Sequence, residues 1–282
     1  MYHVDKPLWQ YPFPRVAHIM ASFSSYAYKD DAEGAKLFKQ MGFKSEHIDV
    51  NSSQAFVLQN KHDLIFVCRG TEPTDMNDIK ADLNAKPTMS STGLGLVHQG
   101  FKTASDNVFP TLEKLIAKHG KTKQIYVTGH SLGAAMATLV AFRCQRSEHL
   151  PDPIALFTFG SPKVGMKEYI QAITESDITH YRFVNNNDLV TAVPPWPYRH
   201  FDECTYINHY GLIRGMSFWQ RTKDKFRGMW AGIKEFRFMD GFDDHSIDCY
   251  QEHLDAWAVE EETRQAVNLF GKSSIKPTEA DK

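Results

Sequence analysis

A run of strand formers, Ile125-Tyr126-Val127-Thr128, leads straight into Gly129-His130-Ser131-Leu132-Gly133, and a helix-prone stretch, Ala134-Ala135-Met136-Ala137, follows. No other stretch constrains the fold as tightly. Strand, then glycine on both sides of a serine, then helix is the pattern of a sharp turn that lifts a serine hydroxyl clear of a sheet. Such a turn needs small residues beside the serine, because strand and helix backbones crowd together there. Once it forms, the N–H of Leu132 faces the space where a carbonyl oxygen attacked by Ser131 gains charge. The helix N-terminus behind it adds partial positive charge. At an average glycine content of about 7%, Gly-x-Ser-x-Gly alone arises by chance in roughly one chain in ten of this length. The strand before it and the helix after it make an ordinary loop the poorer reading.

A serine hydroxyl is a weak nucleophile until a base takes its proton, and the base needs a carboxylate to fix its tautomer. On a strand–turn–helix scaffold of this kind the chain order is serine, acid, histidine. The acid belongs just past a strand, at the sheet edge where the serine emerges. Asp188 fits: it follows Tyr181-Arg182-Phe183-Val184, with Asn185-Asn186-Asn187 as the turn. Asp177 precedes that strand, and Asp202 is the runner-up. Among later histidines, His209 ends the strand-like run Thr205–His209, His253 lies inside the last expected helix, and His200 sits in the Pro-rich stretch. His245, in the polar run Gly241-Phe242-Asp243-Asp244-His245-Ser246, is loop-borne, as catalytic groups tend to be. The second oxyanion donor should follow an earlier strand, and Thr71, after Leu64–Cys68, offers an N–H and a hydroxyl.

Around these residues, elements alternate. Val16, Ile19, Met20, Phe23 and Ala27 mark a first helix. Asp30 caps a second, with Ala35, Phe38 and Met41 inward and Gly42 as its stop. Strands follow at Glu46–Val50, Gln54–Gln59 and Leu64–Cys68, the last two as a hairpin. Gly93, Gly95 and Gly100 mark loops, and a helix from Phe101 to His119 kinks or restarts at Pro110. Ile154–Phe159 and Thr179–Asn185 are further strands, with a short helix between them ending near Thr174. The pattern predicts one α/β domain over residues 1–270, a mostly parallel sheet covered by helices on both faces. Residues 1–14 read as an extended surface arm, and residues 271–282 as a disordered tail.

A formal net charge of −2 gives no electrostatic case for nucleic-acid binding. The four cysteines, at 68, 144, 204 and 249, have neither metal-ligand nor redox spacing, so Cys68 and Cys144 read as buried thiols. No basic-then-apolar leader opens the chain, and no apolar run reaches membrane-span length. Cytoplasmic location is therefore the default expectation, with leaderless export as the alternative.

Six ordered pieces together resemble the fungal-type, class 3 triacylglycerol lipases: Arg69-Gly70-Thr71, His98-Gln99-Gly100-Phe101, the turn at 129–133, Phe157 to Gly165, Asn186-Asn187-Asp188 and the late His245. The resemblance implies an α/β-hydrolase fold and cleavage of lipid esters by Ser131, Asp188 and His245. It implies Thr71 and Leu132 as oxyanion donors, a lid helix between Glu72 and Pro87, and no metal or organic cofactor. A phospholipase, or a short-chain or aryl esterase, would use the same triad. A lipid-surface binding module is the non-enzymatic alternative. The lid stretch departs from many family members, having Met76 among Asp and Lys rather than a tryptophan. A second departure is the basic run 214–237, where Phe226, Met229, Trp230 and Ile233 share a helical face. That face either packs on the domain, the usual fate of amphipathic helices, or docks on an anionic lipid surface.

Overall fold

The computed structural model describes residues 2–70, 86–201, 203–213 and 244–273. Its elements are α1 (Phe13–Tyr26), α2 (Asp31–Gln40), β1 (Lys44–Val50), β2 (Ser53–Gln59), β3 (Asp63–Cys68), β4 (Pro87–Met89), β5 (Leu96–His98) and α3 (Gln99–His119). Then come β6 (Gln124–His130), α4 (Leu132–Gln145), β7 (Ala155–Phe159), α5 (Lys167–Thr174), β8 (His180–Asn185), β9 (Cys204–Ile207) and α6 (Ile247–Ser273).

Seven strands form one sheet in the order β1-β2-β3-β6-β7-β8-β9. In this sheet the two hairpin pairings β1–β2 and β2–β3 are antiparallel and the others are parallel, while β4 and β5 form a separate antiparallel pair. Registry decides what meets what. Cys68 pairs with Gly129, His130 with Phe159, and Phe159 with Phe183. The C-terminal ends of β3, β6, β7 and β8 therefore line up along one rim, and the loops leaving them share a neighbourhood.

The central strands β3, β6 and β7 are buried on both faces, as parallel strands require, while the edge strand β1 is mostly exposed or half-buried. In β3, Leu64 and Phe66 point into one core while Ile65 and Val67 point into the other. The first core takes α3, α4 and α5; the second takes α1, α2 and α6. Full burial of such a side chain contributes roughly 1.5–3 kcal/mol. Helix α4 is buried almost all round, which its alanines permit by letting the sheet and neighbouring helices approach. Among the described residues no helix is long and apolar enough to cross a membrane.

Most local expectations match. Asp30 caps α2 by accepting the Glu33 N–H at 2.9 Å. Cys68 and Cys144 are buried free thiols. Several details differ. The N-terminal arm is not merely a surface strap: Val4, Leu8 and Tyr11 are buried in the second core, and the Leu8 N–H donates to Asp63 Oδ2 at 3.2 Å. Ala35 is exposed, and Gly34 takes the inward place beside Phe38. Gly100 lies inside α3, which is continuous from Gln99 to His119 with Pro110 exposed on its surface. Strand β9 stops at Ile207, leaving His209 in a turn. Helix α6 extends to Ser273, past the expected boundary at 270. Residues 274–282, the lid stretch 72–85 and the basic run 214–237 lie outside the described residues; Pro87 opens β4.

Candidate active site

Ser131 sits where β6 ends and α4 begins, with φ 56° and ψ −130°. That left-handed backbone costs a non-glycine residue about 1–3 kcal/mol and persists only where the surroundings enforce it. Here the Ser131 N–H donates to Phe159 O at 3.0 Å, fastening the turn to β7. Gly133 explains the motif's second glycine: a Cβ there would stand 2.2 Å from Cys68 O and 2.7 Å from Gly70 N. The close approach brings the end of β3 against the first turn of α4. The amide of Leu132 is the first N–H of that helix, among those with no acceptor inside the helix. Thr71, the expected second oxyanion donor, lies outside the described residues, directly after Gly70.

The three distant side chains meet. His245 Nε2 is 2.8 Å from Ser131 Oγ, and His245 Nδ1 is 2.9 and 3.0 Å from the two oxygens of Asp188. All three residues are buried, none more than 5% exposed. The Asp188 carboxylate is held from two other sides as well. Val190 N–H donates to Oδ1 at 3.0 Å, and the Tyr250 hydroxyl donates to Oδ2 at 2.6 Å. Burial, and then the Asp188 charge, raise the Tyr250 phenol well above its ordinary range, so it stays a donor. Tyr250 in turn accepts the Asn185 N–H at 2.9 Å.

The His245 loop is laced to the end of β8. Asn185 Nδ2 donates to Asp244 O at 3.0 Å, while Asn186 Nδ2 and the Asn187 N–H donate to Asp244 Oδ2 at 2.9 and 3.1 Å. The asparagine run is thus more than a turn: it anchors the base loop one residue before the base. Beside the elbow, on the β2–β3 side, a cavity of about 390 Å³ opens between Gln54, Arg69, Gly70, Phe101, Leu132 and Met136.

The other candidates fall elsewhere. Asp177 is exposed ahead of β8, at the opposite sheet edge. Asp202 lies outside the described residues. His200 Nε2 donates to Thr191 O at 2.7 Å, and His253 is set in α6. Sequence reasoning missed Tyr250, His130 and the bracing by Asp244. The i to i+5 step from His245 to Tyr250 carries no motif, and His130 occupied a variable position of the Gly-x-Ser-x-Gly pattern.

Residues 65–198 match the family model described as Lipase (class 3). This stretch of the chain is similar to the class 3 lipases. Ser131 and Asp188 lie inside the matched stretch, and His245 lies beyond it. Over 151 residues the chain is 32% identical to "Toxin TseL" of Vibrio cholerae, covering 54% of this chain and 22% of that one. Over 105 residues it is 35% identical to "Lipase" of Rhizopus niveus, covering 35% of this chain and 26% of that one. The chain therefore spans about a quarter of the length of these curated relatives. In structure it resembles the Rhizomucor miehei triacylglyceride lipase, with a TM-score of 0.62 at 24% identity, covering 68% of this chain and 79% of that one. The fold is of the α/β-hydrolase type.

Two measurable consequences arise from the site and its surroundings. Tyr250→Phe removes a donor from Asp188 Oδ2 and an acceptor from the Asn185 N–H. The expected result is a kcat about tenfold lower, roughly 1.4 kcal/mol, read from steady-state kinetics on a soluble ester.

The second consequence concerns pH. Burial pushes the His18 imidazole down to about 4 and His200 down to about 3, and drives His130 well below its ordinary value. The unfolded chain binds these protons near 6.5 and the folded chain does not, so stability falls as pH drops from about 6.5 towards 4. Asp63 opposes this: burial raises it to about 6, so its own contribution to stability weakens as pH rises from about 4 to 6. Three groups outweigh one, and urea midpoints should decrease from pH 7 to pH 5.

Proposed function

We propose that the chain is a serine hydrolase that cleaves carboxylic esters of lipids through an acyl-enzyme. The observation that carries this reading is the continuous contact from Asp188 through His245 to Ser131 Oγ, at 2.9 and 2.8 Å, at the head of α4. His245 Nε2 takes the proton from Ser131 Oγ as that oxygen attacks the ester carbonyl. Asp188 holds Nδ1 protonated and stabilises the imidazolium. The carbonyl oxygen, now negative, is met by the Leu132 N–H at the N-terminus of α4; Thr71 is the proposed second donor. His245 then gives its proton to the leaving alcohol. In the second half it removes a proton from water, whose oxygen attacks the acyl carbon and releases the acid and free Ser131. None of these steps calls on a metal or an organic group.

A lipid substrate is supported by the match of residues 65–198 to the class 3 lipase model and by the likeness to the Rhizopus niveus lipase. The test is hydrolysis of emulsified tributyrin and triolein beside p-nitrophenyl esters of graded chain length and a diacyl phospholipid. The triacylglycerol reading expects acid release from the emulsions. Release from the phospholipid alone, or from short soluble esters alone, would replace it by the corresponding alternative. A chain that cleaves none of them and resists fluorophosphonate at Ser131 is a binding module. Peripheral contact through residues 214–237 is tested by co-sedimentation with anionic vesicles. Loss of binding in a Trp219→Ala/Trp230→Ala pair supports lipid docking, and equal binding removes it.

A further inference from the structure

The rim of the sheet holds a buried histidine that the reaction above does not use. His130, next to the nucleophile in sequence, is 6% exposed, and its ring centroid lies 4.6 Å from that of His245. Its Nε2 is 2.7 Å from the main-chain oxygen of His245. A carbonyl accepts only, so Nε2 carries a proton. Burial, followed by the nearby His245 charge, keeps the ring from taking a second one. Nδ1 is therefore an acceptor and needs a donor. The Tyr28 hydroxyl, 2.9 Å away, supplies it.

Tyr28 is itself fixed against the site. Arg69 Nη2 donates to the Tyr28 carbonyl at 3.3 Å, and the Tyr28 hydroxyl lies 2.5 Å from where a Gly70 Cβ would stand. The residue follows α1 closely, and α1 is clamped to α6. Arg15 makes a two-pronged pair with Glu262 at 2.8 and 2.7 Å and reaches Asp255 at 2.8 Å. Ser25 Oγ donates to Asp248 at 3.1 Å in the first turn of α6, just after His245. The end of β3, the N-terminal helix, the elbow and the base loop thus converge on one hydrogen-bonded line: Tyr28 hydroxyl, His130 ring, His245 carbonyl.

We propose that Tyr28 and His130 are positioning residues that hold the main chain of the catalytic histidine, so that its Nε2 stays in line with Ser131 Oγ. His130 must be neutral to do this. A second imidazolium beside His245, with ring centroids 4.6 Å apart, would oppose the charge that His245 acquires as it takes the serine proton. Tyr28 enforces the one tautomer that both donates to the His245 carbonyl and remains uncharged. The inference rests on the serine-hydrolase reading and adds two residues to it.

The experiment uses the full chain with p-nitrophenyl butyrate and, separately, the rate of fluorophosphonate labelling. Tyr28→Phe deletes one oxygen and leaves the ring packed. It should lower kcat about tenfold with KM within about twofold, since one buried acceptor is left unsatisfied. His130→Leu should lower kcat about a hundredfold. In His130→Gln an amide N–H can reach the same carbonyl, so most of the loss should be recovered. The labelling rate should fall in step with kcat. The proposal is overturned if Tyr28→Phe and His130→Leu keep kcat and labelling within about twofold of the parent, or if a folded His130→Gln is as slow as His130→Leu. Should His130→Leu fail to fold by near-UV circular dichroism, Tyr28→Phe and His130→Gln carry the test. Failure of the underlying reading looks different: the parent chain itself is then neither labelled nor active.

Discussion

Ser131→Ala is expected to remove ester turnover, lowering kcat by about 10⁴- to 10⁶-fold, while leaving the fold in place. The hydroxyl contributes one hydrogen bond, to His245 Nε2 at 2.8 Å, and the buried Cβ remains. The strained φ of 56° is enforced by the bond from the Ser131 N–H to Phe159 O, which alanine keeps. A stability change within about 1 kcal/mol should therefore accompany the loss of activity. Activity is read with a soluble ester and fluorophosphonate labelling, and stability by thermal denaturation. Retention of more than about one part in a hundred of the turnover would place the nucleophile elsewhere, because among the described residues Ser131 Oγ is the hydroxyl that meets His245 Nε2.

Gly160→Ala is expected to be nearly as damaging, although this residue does no chemistry. Gly160 directly follows β7 at φ +57°, a conformation that alanine adopts at a cost. A Cβ there would lie 2.6 Å from Asp188 Oδ2 and 2.9 Å from His245 Nδ1. The added carbon enters the one place where acid and base touch. Either the carboxylate or the imidazole must retreat, and a displacement of even 1 Å costs roughly a hundredfold. A kcat reduced by about 10² to 10³ is expected, with the thermal midpoint lowered by the left-handed strain. Kinetics on the same soluble ester decide it. A Gly160→Ala chain with unchanged kcat would mean that the rim has slack that the distances do not suggest.

The two substitutions differ in how readable they were. Ser131 announces itself, because strand, tight turn and helix each have a local signature and here they are consecutive. Gly160 sits in Gly160-Ser161-Pro162, a turn that reads as structural, and nothing nearby in sequence says that a carboxylate and an imidazole will crowd it. The same holds for the N-terminal arm. Its prolines and aromatics read as a surface strap, yet Leu8 is wholly buried and its N–H is taken by Asp63, a residue from the far end of β3. Pro110 reads as a kink or restart, yet α3 is continuous from Gln99 to His119 with that residue exposed.

By itself the sequence determined the element types, the position of the nucleophile and the order in which acid and base follow it. Those features are local: side-chain periodicity, turn chemistry and strand-to-helix transitions act over a few residues. Tertiary structure alone decided which groups steady the triad. The registry of β3, β6, β7 and β8 brings four loop ends to one rim, and the α1–α6 clamp sets the base loop beside them. Tyr28, His130, Gly160, Asp244 and Tyr250 acquire their roles only there, because hydrogen bonds and close contacts depend on distances in space that chain separation does not encode.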